Sequence, residues 1–124
     1  MNFTGISDCE LLVMKCLWRA GQPISVHVLI EELDKQYNKK YKETTVYTFL
    51  SNLRKKSYVD SYKKGASYFF PLVSENDYVK NYAQVMRKFW GDETLGVFMH
   101  YMVDSEGKDL EAKAQIEKLL KGEN

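Results

Sequence analysis

Apolar side chains recur at intervals of three and four residues in three successive segments at the start of the chain. The first segment begins after Ser7, a typical N-cap residue, and ends at Gly21, while the second begins after Ser25. The third begins near Glu43, and its inward stripe is formed by Val46, Leu50 and Leu53. This spacing predicts three amphipathic helices.

Two runs rich in β-branched and aromatic residues follow, at positions 58–62 and 67–72. The residues between them are Lys63-Lys64-Gly65-Ala66, and Gly65 can adopt the positive φ that a tight connection needs. The pattern predicts a β-hairpin with a basic tip.

Helical periodicity returns after position 73 and continues over residues 74–90, 92–103 and 105–121. The order of elements is therefore three helices, a hairpin and three further helices. We expect a mainly α protein with a small β-hairpin, in which residues 1–73 form a winged helix-turn-helix and residues 74–124 form a helical dimerisation domain.

Charge is segregated along the chain. Its formal total is only +1, but the window from Lys35 to Lys64 holds nine basic and two acidic residues, a formal charge of +7, which leaves −6 elsewhere. In a winged helix the third helix enters the major groove and the hairpin touches the adjacent DNA backbone. The predicted contacts to phosphate are the basic residues around that helix and hairpin: Lys39, Lys40, Lys42, Arg54, Lys55, Lys56, Lys63 and Lys64.

The outer face of the third helix carries short hydrogen-bonding side chains and, beyond Glu43, no carboxylate. Hydroxyl and amide groups can meet base edges, and threonine methyls can meet the thymine methyl. The predicted base contacts are Thr44, Thr45, Tyr47, Thr48, Ser51 and Asn52. Lysines at helix ends are also common on ordinary soluble surfaces, and some winged helices bind proteins through the same faces. A protein-interaction module without specific DNA binding is therefore the alternative.

The last 50 or so residues are too few for a comfortable core of their own, yet they are rich in aromatic residues and methionine. We expect much of this surface to meet a second copy of the chain; packing against the chain's own N-terminal domain is the alternative. The predicted dimer interface consists of Tyr78, Tyr82, Met86, Phe89, Trp90, Leu95, Phe98, Met99, Met102, Leu119 and Leu120.

Other classes of function find no support in the residues. The longest stretch without a formal charge has eleven residues, well short of the roughly 20 that a membrane span needs. The N-terminus lacks a basic leader, so we expect a cytoplasmic protein. There is no recognisable catalytic, phosphate-loop or metal-ligand spacing, and Cys9 and Cys16 are too far apart on one helix for a disulfide. We therefore expect no enzyme activity, cofactor or metal.

Several short strings, taken in order, resemble the penicillinase-repressor (BlaI/MecI/CopY) family. They are Ile6-Ser7-Asp8-x-Glu10, Val13-Met14-x-x-Leu17-Trp18, Thr45-Val46-Tyr47-Thr48-Phe49-Leu50-x-x-Leu53-x-x-Lys56, and Tyr68-x-x-x-Pro71-Leu72-Val73-Ser74. The resemblance implies a homodimeric repressor of resistance or metal-homeostasis genes that binds a palindromic operator. It carries DNA contacts over to the third helix, at Thr44, Thr45, Tyr47, Thr48 and Asn52, and to the wing near Lys63 and Lys64.

The chain departs from the family pattern where repressors are released from DNA. The copper-responsive branch of the family ends in a cysteine cluster, whereas this chain has no cysteine after Cys16. The β-lactam branch is cleaved by a membrane sensor protease at an Asn-Phe bond in the dimerisation region, but no such pair occurs after Asn2-Phe3. Without that pair, we do not expect a sensor protease as a partner. Tyr47 and Asn52 also replace residue types frequent in the family, so we expect a different preferred operator.

Overall fold

A computed structural model describes residues 5–104 of the chain. Its elements, in chain order, are α1 Asp8–Ala20, β1 Ile24–Ser25, α2 Val26–Tyr37, α3 Glu43–Lys55, β2 Val59–Lys64, β3 Ala66–Pro71, α4 Glu75–Phe89 and α5 Asp92–Asp104. The helices predicted from residues 7 to 103 are confirmed to within one or two residues. The helix predicted over residues 105–121, with Leu119 and Leu120, lies outside the described residues.

Local capping explains where the first two helices begin and end. The hydroxyl of Ser7 accepts a hydrogen bond from the backbone N–H of Glu10, and the Glu10 carboxylate accepts one from the N–H of Ser7, which completes a capping box. α1 ends at Gly21, whose φ of 67° is left-handed. Ser25 caps α2 through the N–H of Val28, and α2 ends at Asn38, also left-handed. The predicted caps are confirmed.

The sheet has three antiparallel strands in the order β1-β3-β2. The hairpin pairs Tyr62 with Tyr68, and β1 adds the pair of Ile24 with Phe69. The sequence did not predict β1, because two residues are too few to show the alternation of a strand. The predicted four-residue tip is wrong as well: Lys64 pairs with Ala66 inside the ladder, and only Gly65, at φ 77°, separates the strands.

Helices α1 to α3 and the sheet enclose one hydrophobic core. Its fully buried members include Met14, Leu17, Leu29 and Leu33, and the predicted inward stripe of α3 is confirmed as part of it: Val46, Leu50 and Leu53. Phe69 brings β3 into the same core. Burial of these side chains is the main force that fixes α3 against the other elements.

The chain divides into two compact units, the first extending to Val85 and the second beginning at Met86. The first therefore includes the start of α4, where Tyr78 is 6% exposed and lies beside Trp18, with ring centroids 5.4 Å apart. The indole of Trp18 also donates to the carbonyl of Val73 at 2.8 Å. The predicted division at residue 73 concerns function and stays a prediction.

Across residues 5–104, none of the helices combines the length and the apolar character needed to cross a membrane.

Candidate nucleic-acid interface

Apart from its buried stripe, helix α3 has an outward face and two flanks, and each carries different side chains. At about 100° per residue, Thr44, Thr48, Ser51 and Lys55 point away from the core, Tyr47 and Arg54 flank them on one side, and Thr45 and Asn52 flank them on the other. The outward four are exposed, whereas Thr45 and Asn52 are half-buried. The six predicted base-contact residues therefore lie on one side of α3, where four are exposed and two are half-buried.

The outward face keeps its hydrogen-bonding capacity with one exception. Thr48 donates its hydroxyl proton to the carbonyl of Thr44, at 3.0 Å. Its oxygen can still accept a hydrogen bond and its methyl group stays exposed, so Thr48 suits a base-edge donor or an apolar contact better than a base acceptor.

The flank that faces the hairpin forms a cleft of about 220 Å³ between α3 and the strands. Tyr47, Ser51 and Arg54 line it from the helix, while Ser61, Ser67 and Phe69 line it from the sheet. The Tyr47 ring meets Phe69 edge-on, with centroids 6.3 Å apart. The hairpin thus supports the side chain of one predicted base contact.

The opposite flank is tied to α1. Lys56, at the C-terminal end of α3, donates from Nζ to Oε1 of Glu10 at 2.9 Å, and Glu10 is only 3% exposed. The contact of Lys56 with phosphate stays a prediction, while in this structure its ammonium neutralises a buried carboxylate. That interaction fixes the end of α3 on the start of α1.

Burial of Glu10 raises the pKa of its carboxyl, but the backbone hydrogen bond from Ser7 and the hydrogen bond and charge of Lys56 lower it by more. The net pKa therefore lies below the ordinary value of 4.5, and Glu10 is ionised at neutral pH. Glu10 is not among the site residues predicted from the sequence. Its three-residue separation from Ser7 is the signature of a capping box, but no local pattern connects it with Lys56.

Three lysines project from the loop that precedes α3. Lys39, Lys40 and Lys42 are exposed, while Tyr41 between them is half-buried. The Tyr41 ring meets Phe49 edge-on at 5.2 Å, and its hydroxyl donates to the sulfur of Cys9 at 3.2 Å. Because Tyr41 anchors the loop, the lysines on either side of it extend into solvent at the N-terminal end of α3.

The two lysines of the hairpin lie on opposite faces of β2, because neighbouring strand residues alternate. Lys63 shares a face with Ser61, which lines the α3 cleft. Lys64 shares the other face with Tyr62, whose ring stacks on Tyr68 at 5.7 Å. Lys63 is therefore on the side nearer α3, a distinction that the predicted loop at this position could not reveal.

The predicted dimer-interface residues within the described chain fall into two groups. Tyr78 and Tyr82 pack against the core of the first unit, which leaves little of Tyr78 for another chain. In and around the second unit, Met86, Leu95 and Met99 are half-buried, and four large side chains are exposed: Phe89, Trp90, Phe98 and Met102.

Groups of three or more histidine, cysteine, aspartate or glutamate side chains arranged to hold a metal ion are absent from the part of the chain that the structure describes.

Comparison with known proteins shows which family the chain resembles. Residues 6–122 match the model of the penicillinase repressor family. The DNA-binding domain of the repressor BlaI, and Bacillus licheniformis BlaI in its monomeric form in complex with the blaP half-operator, are similar solved structures; each is 35% identical, with a TM-score of 0.49, over 59% of this chain and 87% of the other. A comparison with curated proteins finds no match. Because the family model spans nearly the whole sequence, the chain belongs to the penicillinase repressor family, whose members are DNA-binding regulators and not enzymes.

Proposed function

We propose that the protein is a sequence-specific transcriptional repressor that binds a palindromic operator as a homodimer. One observation carries the proposal: the exposed face of α3 bears hydroxyl side chains, with the half-buried amide of Asn52 at its edge, and exposed lysines lie at both of its ends and on the neighbouring wing. Membership of the penicillinase repressor family supports it. The wing is the hairpin formed by β2 and β3.

In this proposal α3 lies in the major groove. Thr44, Thr48 and Ser51 face the base edges directly, and Tyr47, Thr45 and Asn52 reach them from the sides. The loop lysines, Lys55 and the wing lysines contact phosphates, and these contacts supply the affinity that does not depend on sequence. Lys56 contributes indirectly, because its bond to Glu10 holds the end of α3 in place.

The homodimer rests on the exposed apolar side chains of the second unit. Phe89 is 65% exposed and Met102 is 60% exposed, and large exposed apolar surface on a protein marks an interaction site. A two-fold dimer would present two copies of α3 to successive turns of the major groove. We place the protein in the cytoplasm with its DNA and infer resistance or stress-response genes as its targets.

A titration of the purified protein against its own upstream DNA tests the function. We expect the operator to be bound at least ~10³-fold more tightly than random duplex at physiological salt, with affinity that falls as salt rises. Equal affinity for both duplexes would contradict the proposal. A protein captured through α3 in the absence of any DNA affinity would support the alternative, a winged helix used for protein contact.

Two substitutions distinguish sequence-specific contacts to bases from nonspecific contacts to phosphates. Ser51→Ala removes a hydroxyl from the outward face, so we expect it to weaken operator binding more than random binding. Lys40→Gln removes a loop charge, so it should weaken both equally and lower the slope of log affinity against log salt by about one. Lys80→Gln, on the exposed side of α4, is the matched control and should leave both affinities unchanged.

A further inference from the structure

Arg54 lies near the end of α3, but its side chain is directed at the wing. Its Nη2 donates to the hydroxyl of Ser61, its Nε lies 3.9 Å from Oδ1 of Asp60, and its guanidinium carbon is 5.8 Å from the centre of the Phe69 ring. One side chain of the helix thus contacts both strands of the hairpin.

The acceptors of Arg54 are themselves held in place. The backbone N–H of Ser61 donates to Oδ1 of Asp60 at 2.8 Å, which orients that carboxylate. Phe69 is buried in the core and pairs with both neighbouring strands, through Ile24 and Ser61. Arg54 therefore joins α3 to partners whose relative positions are set by the hydrogen bonds and strand pairs of the sheet.

Phe69 also contacts Tyr47, two turns before Arg54 on the same flank of α3. The position of the wing consequently sets the surroundings of both side chains. Lys63 lies on the same strand as Ser61, two residues further on, so any shift of β2 away from α3 also moves that lysine.

Lys55 provides the contrast. It is exposed on the outward face, and it takes part in none of the ion pairs found among residues 5–104. A planar guanidinium can donate through two nitrogens while it stacks on a ring, whereas an ammonium is a single point of charge. The two neighbouring cations are thus placed for different tasks.

We propose that Arg54 is a positioning residue that locks the wing onto α3 and thereby sets the spacing between the base contacts of α3 and the phosphate contact of Lys63. Arg54 is then not itself a contact to phosphate. The inference rests on the proposed function, because it assigns the specificity of that interface to the internal geometry of the domain.

Three variants test the assignment: Arg54→Lys keeps the charge but loses the planar fork, Arg54→Gln loses both, and Lys55→Gln loses only an outward charge. We expect Arg54→Lys to keep the salt slope but to reduce the preference for operator over random DNA about tenfold. Lys55→Gln should lower the slope by about one and leave the preference unchanged.

A measurement without DNA separates this inference from the proposed function. Amide hydrogen exchange of Ser61 and Phe69 should become at least several-fold faster in both Arg54 variants and stay unchanged in Lys55→Gln, because the wing loosens only when its link to α3 is lost. Unchanged exchange in Arg54→Lys would overturn the inference. So would a wild-type operator preference in Arg54→Lys combined with a slope lowered by one in Arg54→Gln, since that pair of results describes a phosphate contact. If the wild-type protein shows no operator preference, the proposed function fails and the exchange result alone decides the positioning role.

Discussion

The two compact units differ in how far their apolar side chains are buried. The first unit buries the inward stripes of α1, α2 and α3 together with Phe69 in a single core. In the second unit, Phe98 is 47% exposed and Met102 is 60% exposed. The two residues are four positions apart on α5 and therefore share one face of that helix. Burial of apolar area is the dominant favourable term in folding, so the first unit contains its own source of stability and the second is suited to gain it from association.

The largest effect is expected where that contrast is strongest. Phe98→Glu places a charge within the apolar surface of α5, and we expect it to raise the dissociation constant of the proposed homodimer by about 100-fold or more, because an unpaired charge would have to be buried. Sedimentation at micromolar concentration measures the shift. Val28→Glu changes a side chain that is 42% exposed on α2 and should leave the dimer intact. A dimer unaffected by Phe98→Glu would remove α5 from the interface.

The core of the first unit is the next target. Leu53 is fully buried on α3, so Leu53→Ala should lower the free energy of unfolding by about 3 kcal/mol through lost burial and the cavity left behind. Denaturant unfolding measures the loss. The matched control is Val28→Ala, an exposed position whose truncation should change stability by less than about 0.5 kcal/mol. Equal losses would mean that the core does not govern this unit's stability.

Much of this architecture could be predicted from the sequence, because its signals are local. Periods of three and four residues located the helices, and Ser7, Gly21 and Ser25 marked their ends as the structure has them. The winged-helix arrangement followed from the order of these elements. Charge counting then brought the basic residues into one window around α3.

What could not be predicted depends on contacts between distant residues. Lys56 and Arg54 look alike in the sequence, yet one pairs with Glu10 on α1 and the other with Ser61 on the wing. For α5 the sequence predicted a dimer interface but left packing against the chain's own N-terminal domain open, because both kinds of apolar stripe have the same period. Local patterns therefore predict the candidate interface, whereas tertiary packing decides which of its basic side chains already have partners within the domain.

The pH dependence of stability should report the Glu10–Lys56 pair. Because the pKa of Glu10 is lowered in the folded protein, the stability it contributes is fully present above its unfolded value near 4.5 and is lost as the pH falls through the folded pKa. We expect Glu10→Gln to cost about 1–2 kcal/mol at pH 7 and to flatten this acid dependence. Urea unfolding at a series of pH values measures it. Glu31→Gln, at an exposed position, is the control. If Glu10→Gln lost stability at low pH as steeply as the wild type does, the interpretation would be contradicted.

The smallest expected effect concerns the turn between α3 and the wing. Ser57 has a φ of 66°, and a left-handed backbone is costly for most residues with a side chain, whereas glycine adopts it freely. Ser57→Gly should therefore raise the free energy of unfolding by about 0.5 kcal/mol, the relief of strain exceeding the added freedom of the unfolded chain. Asn38→Gly, at φ 54° after α2, should change it by less, because asparagine tolerates this conformation. Since the first unit is self-contained, the midpoint of its unfolding should be the same at every protein concentration, in the wild type and in Ser57→Gly alike; a midpoint that rose with concentration would show that the two units do not obtain their stability separately.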